Sequence, residues 1–130
     1  MEKMLRRKVD SYLTRWKQNA DRKPLIIKGA RQIGKTRSVE WFAERNYKYF
    51  IEINFVEQKK YREIFNDGFE VDTILKNISL LNPEYRFEPG ETLFFFDELQ
   101  ACPNCATSLK FFKLDGRFDV ICSGSLMGIS

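Results

Sequence analysis

One stretch near the start of the chain constrains the fold more than any other. It reads Leu-Ile-Ile-Lys-Gly-Ala-Arg-Gln-Ile-Gly-Lys-Thr, and its last eight residues fit the spacing G-x-x-x-x-G-K-[ST]. Pro24 precedes its three leading apolar residues, which are typical of a short buried strand. The residues after it place three apolar side chains on one helical face, those of Val39, Phe42 and Ala43. The stretch therefore predicts a strand, a glycine loop and a helix in succession.

The glycine loop predicts a phosphate-binding site of the Walker A type, although a chance glycine turn between a strand and a helix is the alternative. Glycines permit backbone angles that turn consecutive N–H groups toward an anion, and the following helix adds the positive end of its dipole. Lys35 would contact the β- and γ-phosphates of a nucleotide, and the Thr36 hydroxyl would bind Mg²⁺. The side chains of Arg31 and Gln32 are expected to point outward, because the backbone does the binding. The expected cofactor-binding residues are Gly29, Ala30, Arg31, Gln32, Ile33, Gly34, Lys35, Thr36 and Arg37.

Chain length and composition indicate one globular domain. The 130 residues can form a core of their own, and twelve of them are Phe, which argues against disorder. No apolar run approaches the roughly 20 residues of a membrane-spanning helix. The charged N-terminus has no apolar segment behind it, so we expect no signal peptide and a cytoplasmic location.

Charge is unevenly distributed along the chain. Residues 1–35 carry eleven Lys and Arg against three Asp and Glu, whereas residues 36–130 carry eleven against fifteen. The basic N-terminal part could face nucleic acid, an acidic partner domain or only the nucleotide. A solvated helix face is an equal alternative to any of these.

The three cysteines give little support to metal or redox chemistry. Cys102 and Cys105 form a single C-x-x-C pair, Cys122 lies in a predicted strand, and the chain has no His. A structural zinc ion needs four ligands, which these residues do not supply. We therefore interpret all three as small buried residues.

Apolar periodicity and turn residues divide the chain into alternating helices and strands. An amphipathic helix is predicted over 4–18, with an apolar stripe formed by Leu5, Val9, Tyr12, Leu13 and Trp16. Further strands are expected at 47–55, 92–98 and 118–123 and further helices at 57–66, 70–81 and 103–114, with Gly124 ending the last strand. This order predicts an α/β domain with a mostly parallel sheet. We expect an N-terminal helix and linker over 1–23 and a core over 24–130.

The second half of the predicted site lies where later strands end. Four apolar residues followed by Asp97 and Glu98 form a Walker B pattern, and the carboxyl ends of parallel strands meet at one edge of a sheet. Asp97 would hold Mg²⁺, and Glu98 would position the water that attacks a γ-phosphate. Ser123 or Ser125 could sense that phosphate, with ordinary turn chemistry as an equal alternative. Asn54 could hydrogen-bond Glu98 and hold it away from water, but a simple strand-end role is favoured on local grounds.

Four segments carry a resemblance to a known group. They are Gly-Ala-Arg-Gln-Ile-Gly-Lys-Thr, Phe-Phe-Phe-Asp-Glu-Leu-Gln-Ala-Cys-Pro, Ser-Leu-Lys-Phe-Phe and Ile-Cys-Ser-Gly-Ser-Leu-Met-Gly. Together they resemble the AAA-type ATPase domain of a widespread, mostly uncharacterised bacterial and archaeal ATP-binding protein family, over essentially the whole chain. The resemblance implies a three-layer α/β P-loop NTPase fold with strand order 2-3-4-1-5. It also implies the catalytic residues Lys35, Asn54, Glu98 and Ser123 and the Mg²⁺ ligands Thr36 and Asp97.

The resemblance implies Mg-ATP binding, with hydrolysis of ATP to ADP and phosphate in the full-length protein. Such proteins normally continue with a fifth strand, a helical lid and further domains, so we expect this chain to be a fragment that ends after the fourth core strand. Arg117 is the candidate arginine finger on length and charge alone. One alternative is a non-hydrolysing module that associates with a partner protein or a second copy when nucleotide binds. Another is a nucleic-acid-associated ATPase that uses its basic N-terminal helix.

Overall fold

The computed structural model describes the backbone of residues 2–29 and 33–125 and the side chains of 7–28 and 34–124. Helices α1 to α4 span Glu2–Gln18, Ile33–Asn46, Val71–Leu81 and Pro103–Asp115. Strands β1 to β4 span Leu25–Gly29, Tyr49–Asn54, Thr92–Asp97 and Asp119–Ser125. Two 3-10 helices, Lys59–Phe65 and Leu99–Ala101, complete the regular structure. Within the described residues, no helix is long and apolar enough to cross a membrane.

The four strands form one parallel sheet in the order β1-β4-β3-β2. This confirms the predicted α/β class and the insertion of the fourth strand between the first and the third. Near the carboxyl edge, Ile27 pairs with Ser123, and Asn54 pairs with Asp97. The ends of the strands are therefore aligned, and the residues that follow them lie along one edge of the sheet.

Helices cover both faces of the sheet, which gives three layers. On one face, α1 and α2 pack against alternate strand residues, and this core contains Leu13, Val39, Phe42, Ala43, Leu93, Phe95 and Ile121. On the other face lie α3, α4 and the first 3-10 helix, around a core that includes Ile53, Phe55, Ile74, Phe94, Phe96, Phe112 and Cys122. Residues 92–96 of β3 are buried throughout, as expected for a central strand with helices on both sides.

The helix expected at 57–66 is present as the 3-10 helix Lys59–Phe65, which buries Tyr61, Ile64 and Phe65 against the core. Two other sequence-based predictions of local structure are wrong. Gly124 does not end the last strand, because its backbone pairs with Lys28 of β1 and the strand continues to Ser125. Tyr12 does not belong to the buried stripe of α1, since half of its surface is exposed. The helix instead packs through Leu13, Val9 and Trp16; the side chain of Leu5 lies outside those described.

The three cysteines are buried and form no disulfide bond. Burial raises the pKa of the Cys102 and Cys105 thiols above the ordinary value, which keeps them protonated and unreactive at neutral pH. Cys122 is fully buried in β4. These residues act as small core side chains in the structure.

Candidate functional site

A cleft of about 670 Å³ opens at the carboxyl edge of the sheet, where α2 begins. Its walls bring together seven of the predicted site residues, namely Lys35, Thr36, Arg37, Asn54, Asp97, Glu98 and Ser123. Gly34 lies in the first turn of α2. Ala30, Arg31 and Gln32 lie outside the described residues, and Gly29 and Ile33 are described through their backbone only. The predicted Walker A helix and Walker B strand therefore contribute to one cavity.

Helix α2 supplies the basic wall of the cleft. It begins at Ile33, which places Lys35 and Thr36 in its first turn, where backbone N–H groups have no partner within the helix. The Ser38 hydroxyl donates a hydrogen bond of 2.7 Å to the carbonyl of Gly34, which helps to fix that turn. Lys35 makes no hydrogen bond or ion pair with any other residue whose side chain is described. Its ammonium group is therefore available to an anion in the cleft.

Asp97, the last residue of β3, is held by three donors that carry no charge. Its Oδ1 accepts hydrogen bonds from the Ser123 hydroxyl and, at 2.9 Å, from the Glu98 backbone N–H. Its Oδ2 lies 3.5 Å from Nδ2 of Asn54. Among the described side chains, none that is cationic forms an ion pair with Asp97. The carboxylate is thus oriented, and no cationic side chain in the described part of the chain neutralises its charge.

The surroundings of Asp97 and Thr36 suit a magnesium ion. Mg²⁺ prefers oxygen ligands, and in nucleotide sites it keeps water and phosphate oxygens in addition to one or two protein ligands. A carboxylate without a cationic partner and a hydroxyl at a helix N-terminus line the same cleft here. Within the described residues there is no cluster of three or more His, Cys, Asp or Glu side chains that could hold a metal by itself. The carboxylate of Asp97 and the hydroxyl of Thr36 are therefore suitable ligands for a metal ion that binds together with a nucleotide.

Glu98 has an unusual backbone conformation. Its φ of 59° and ψ of 52° lie in the left-handed region, and it is the one non-glycine residue with positive φ in the described chain. This conformation costs a non-glycine residue roughly 1 kcal/mol, and such strain is concentrated at functional sites. The side chain is only 8% exposed, and its Oε1 accepts a 2.8 Å hydrogen bond from Nε2 of Gln100. Sequence analysis did not single out Gln100, and its position two residues after the predicted catalytic carboxylate was the available signal.

Asn54 lies at the end of β2, and its amide contacts Asp97, whereas sequence analysis had considered a bond to Glu98 beside the favoured strand-end role. Its Oδ1 accepts hydrogen bonds from the backbone N–H groups of Val56 and Glu57, at 2.9 and 3.0 Å. This Asx-type turn directs the side chain and reverses the chain after the strand. The structure therefore places Asn54 in the site, beside the proposed metal ligand.

Three acidic residues that sequence analysis did not single out, Glu40, Glu52 and Glu57, also line the cleft. Glu52 of β2 hydrogen-bonds Glu40 of α2, and burial, this bond and the nearby charges of Asp97 and Glu57 raise the pKa of Glu52 to about 8. Strand alternation places Glu52 on the same face as Asn54, which is the sequence signal that could have found it.

Arg117 lies at the opposite edge of the sheet, before β4 begins. Its guanidinium donates hydrogen bonds to both carboxylate oxygens of Asp115, at 2.8 and 2.9 Å, and to Asp72, at 2.6 Å. These bonds raise the pKa of Arg117 further above its ordinary value. The structure accounts for this arginine as a link between α3 and the end of α4.

The parallel sheet, the strand order and the cleft at its carboxyl edge define an AAA-type P-loop domain. The sequence model of the AAA domain family matches residues 21–130, and the chain belongs to that family. It is accordingly a nucleotide-binding AAA module. No curated protein was found to match the chain.

Comparison with solved structures supports the fold. PCH-2 from C. elegans matches with a TM-score of 0.56 and 14% sequence identity. The aligned region covers 92% of this chain and 37% of PCH-2, so the chain corresponds to well under half of that protein's length. At this identity the likeness concerns the fold alone.

Proposed function

We propose that this chain binds Mg-ATP and, within the full-length protein, hydrolyses it to ADP and phosphate. The observation that carries the proposal is the convergence of the two Walker segments on one cleft, with Lys35, Thr36, Asp97 and Glu98 in its walls. A lysine at a helix N-terminus, an oriented carboxylate that pairs with no described cationic side chain and a second carboxylate beside it are the parts that phosphoryl transfer to water needs.

Each side chain has a defined part in the proposed reaction. Lys35 neutralises charge on the β- and γ-phosphates, while Thr36 and Asp97 hold Mg²⁺, which supplies further charge neutralisation when bound. Glu98 orients a water molecule and accepts its proton as the water oxygen bonds to the γ-phosphorus and the bond to the β-phosphate oxygen breaks. Ser123 keeps Asp97 oriented through its hydroxyl. Asn54 supports the same carboxylate from β2.

Nucleotide affinity tests the binding half of the proposal. Lys35→Ala should weaken binding of a fluorescent ATP analogue at least tenfold, because it removes the cation that faces the phosphates. Lys76→Ala is the matched control, since Lys76 is an exposed lysine on α3 outside the cleft. Equal affinity of the wild type and Lys35→Ala would refute the phosphate-loop interpretation.

Phosphate release tests the second half of the proposal, the hydrolysis of ATP. Glu98→Gln keeps the size of the side chain but removes the proton acceptor, so ATP affinity should persist while turnover falls at least a hundredfold. Undiminished turnover would reject Glu98 as the residue that orients water. Binding without turnover in the wild type would favour the non-hydrolysing module, in which nucleotide promotes association with a partner or a second copy.

We also propose that helix α1 and the linker, residues 1–23, are an addition to a core of residues 24–130. The fully buried Leu13 of α1 packs with Phe42 of α2, which supports a helix that is docked on the core. The solvent-facing side of α1 carries Arg7, Lys8 and Arg15. A role for this surface in nucleic-acid binding would require affinity that falls steeply with salt and is lost when these charges are reversed.

A further inference from the structure

We propose that Gln100 is a positioning residue that holds the carboxylate of Glu98 in the orientation used for water attack. The inference rests on the proposed ATPase function. It assigns this task to a residue in the second 3-10 helix, which sequence analysis did not single out. Its basis is the 2.8 Å hydrogen bond from the Gln100 amide to Glu98 Oε1.

The backbone around this pair is fixed on both sides. Before Glu98, β3 is paired with β2 as far as Asp97, and the Glu98 N–H is bonded to the Asp97 side chain. After it, the Ala101 N–H donates to the Glu98 carbonyl at 3.0 Å, which closes the 3-10 turn. Leu99, between the two side chains, is only 5% exposed and belongs to the core. The Glu98 carboxylate can therefore move only through its own side-chain torsions.

A side chain with three free torsions needs a partner if its carboxylate is to occupy one position. The amide of Gln100 donates a directional hydrogen bond of 2.8 Å to this carboxyl group. Asn54 is committed elsewhere, since its Oδ1 accepts two backbone N–H groups and its amide faces Asp97. The geometry thus separates two supporting roles, with Asn54 beside the metal ligand and Gln100 beside the proton acceptor.

Two substitutions distinguish positioning from packing. Gln100→Ala removes both the donor and the side-chain volume, whereas Gln100→Glu keeps the volume and places a carboxylate against a carboxylate. A packing role predicts that Gln100→Glu is tolerated better than Gln100→Ala. A positioning role predicts the reverse order, because repulsion displaces the Glu98 carboxylate further than the loss of a donor does.

The experiment measures phosphate release by the full-length protein as a function of ATP concentration at pH 7.5. We expect kcat to fall about tenfold in Gln100→Ala and further in Gln100→Glu, with KM within about twofold of the wild type. Gln18→Glu, at an exposed glutamine at the end of α1, introduces the same charge away from the cleft and should leave kcat unchanged. An unchanged or higher kcat in Gln100→Ala, or better activity in Gln100→Glu, would overturn the inference.

A second measurement does not depend on turnover. In ¹⁵N-labelled protein, the side-chain amide of Gln100, assigned through Gln100→Ala, should be protected from solvent exchange and should lose that protection in Glu98→Ala. If the full-length wild type hydrolyses no ATP, the proposed function fails, while persistent protection that depends on Glu98 still supports the contact. Equal exchange in the wild type and Glu98→Ala overturns the positioning role even in an active enzyme.

Discussion

Two aspartates at opposite edges of the sheet have contrasting partners. Asp119 begins β4, and its carboxylate accepts hydrogen bonds from Arg22 at 2.8 and 3.1 Å and from the Tyr47 hydroxyl at 2.5 Å, with Lys17 Nζ at 3.9 Å. Asp97 ends the adjacent strand, and its hydrogen bonds come from a hydroxyl, a backbone N–H and an amide. Asp119 has cationic partners, whereas Asp97 has none among the residues whose side chains are described.

The difference distinguishes a carboxylate that stabilises the fold, that of Asp119, from one that is a candidate for ligand binding, that of Asp97. A partly buried carboxylate costs free energy unless a cation or strong donors compensate it. Asp119 receives this compensation from within the chain. Burial and the hydrogen bond to Asp119 raise the pKa of the Tyr47 phenol, and the hydrogen bond to Asp119 raises the pKa of the Arg22 guanidinium. Asp97 receives no such compensation from the cationic side chains that the structure describes. The contrast makes Asp97 the better candidate for a ligand contact.

The contacts of Asp119 also explain how the linker that follows helix α1 is attached to the rest of the domain. Arg22, which binds Asp119, donates from Nη1 to the carbonyls of Lys17 and Asn19 at 2.9 and 3.1 Å. Lys113 of α4 donates to the carbonyl of Asp21 at 3.0 Å. The linker between α1 and β1 is therefore held by β4 and α4, at the edge of the sheet opposite the cleft.

The largest predicted effect is on stability at Asp119. Asp119→Asn removes the charge that Arg22 faces, so we expect a loss of about 2–4 kcal/mol in the free energy of unfolding. Asp97→Asn, the matched change at the other edge, should cost less than about 1 kcal/mol, because no cation loses its partner. Urea unfolding at pH 7 without nucleotide measures both values. Equal losses at the two positions would contradict the contrast between them.

The second prediction concerns stabilisation by ligand. Mg-ATP at a hundredfold excess over its dissociation constant should raise the free energy of unfolding by about 2.7 kcal/mol in the wild type. Asp119→Asn should gain the same increment, whereas Asp97→Asn should gain clearly less at the same ligand concentration, because its metal ligand is weakened. Thermal unfolding with and without Mg-ATP tests this, with EDTA added in a third series. A full increment in Asp97→Asn would remove Asp97 from the proposed metal site.

The sequence predicted that Asp97 lies in the site, but it did not predict the contact between Asp119 and Arg22. Asp97 was found because an apolar run predicts a central strand and parallel strands present their carboxyl ends together. The contact of Arg22 with Asp119 joins residues 97 positions apart, and nothing local in either segment indicates it. The bond between Gln100 and Glu98 was missed for a different reason, since it depends on a left-handed residue that no local pattern required.

The continuation of β4 through Gly124 also depended on tertiary structure. Glycine is unfavourable in an isolated strand, and this preference led to an early predicted end. In the sheet, β1 on one side pairs with residues as far as Ser125, and this pairing outweighs the local preference. Element order and strand order followed from the sequence and its resemblance, whereas element ends and long-range polar contacts needed the structure.

The smallest predicted effect extends the contrast to Glu52, another carboxyl group on the cleft side without a cationic partner in the described residues. Because burial and the bond to Glu40 raise the pKa of Glu52 to about 8 from an ordinary value of 4.5, the folded state retains a proton that the unfolded state has lost between these limits. The free energy of unfolding should therefore fall as pH rises from about 5 to 8, by about 1 kcal/mol after allowance for solvent screening of this half-exposed group.

Glu52→Gln tests whether ionisation of Glu52 causes this fall in the free energy of unfolding. The variant cannot ionise, so its free energy of unfolding should change less than that of the wild type between pH 5 and 8, and should exceed the wild-type value at pH 8. Glu44→Gln, at an exposed carboxyl on the same helix as Glu40, is the control and should follow the wild-type profile. Urea unfolding at several pH values provides the comparison. A wild-type stability that rises with pH across this interval, with Glu52→Gln parallel to it, would show that Glu52 is ionised and solvated in the folded state.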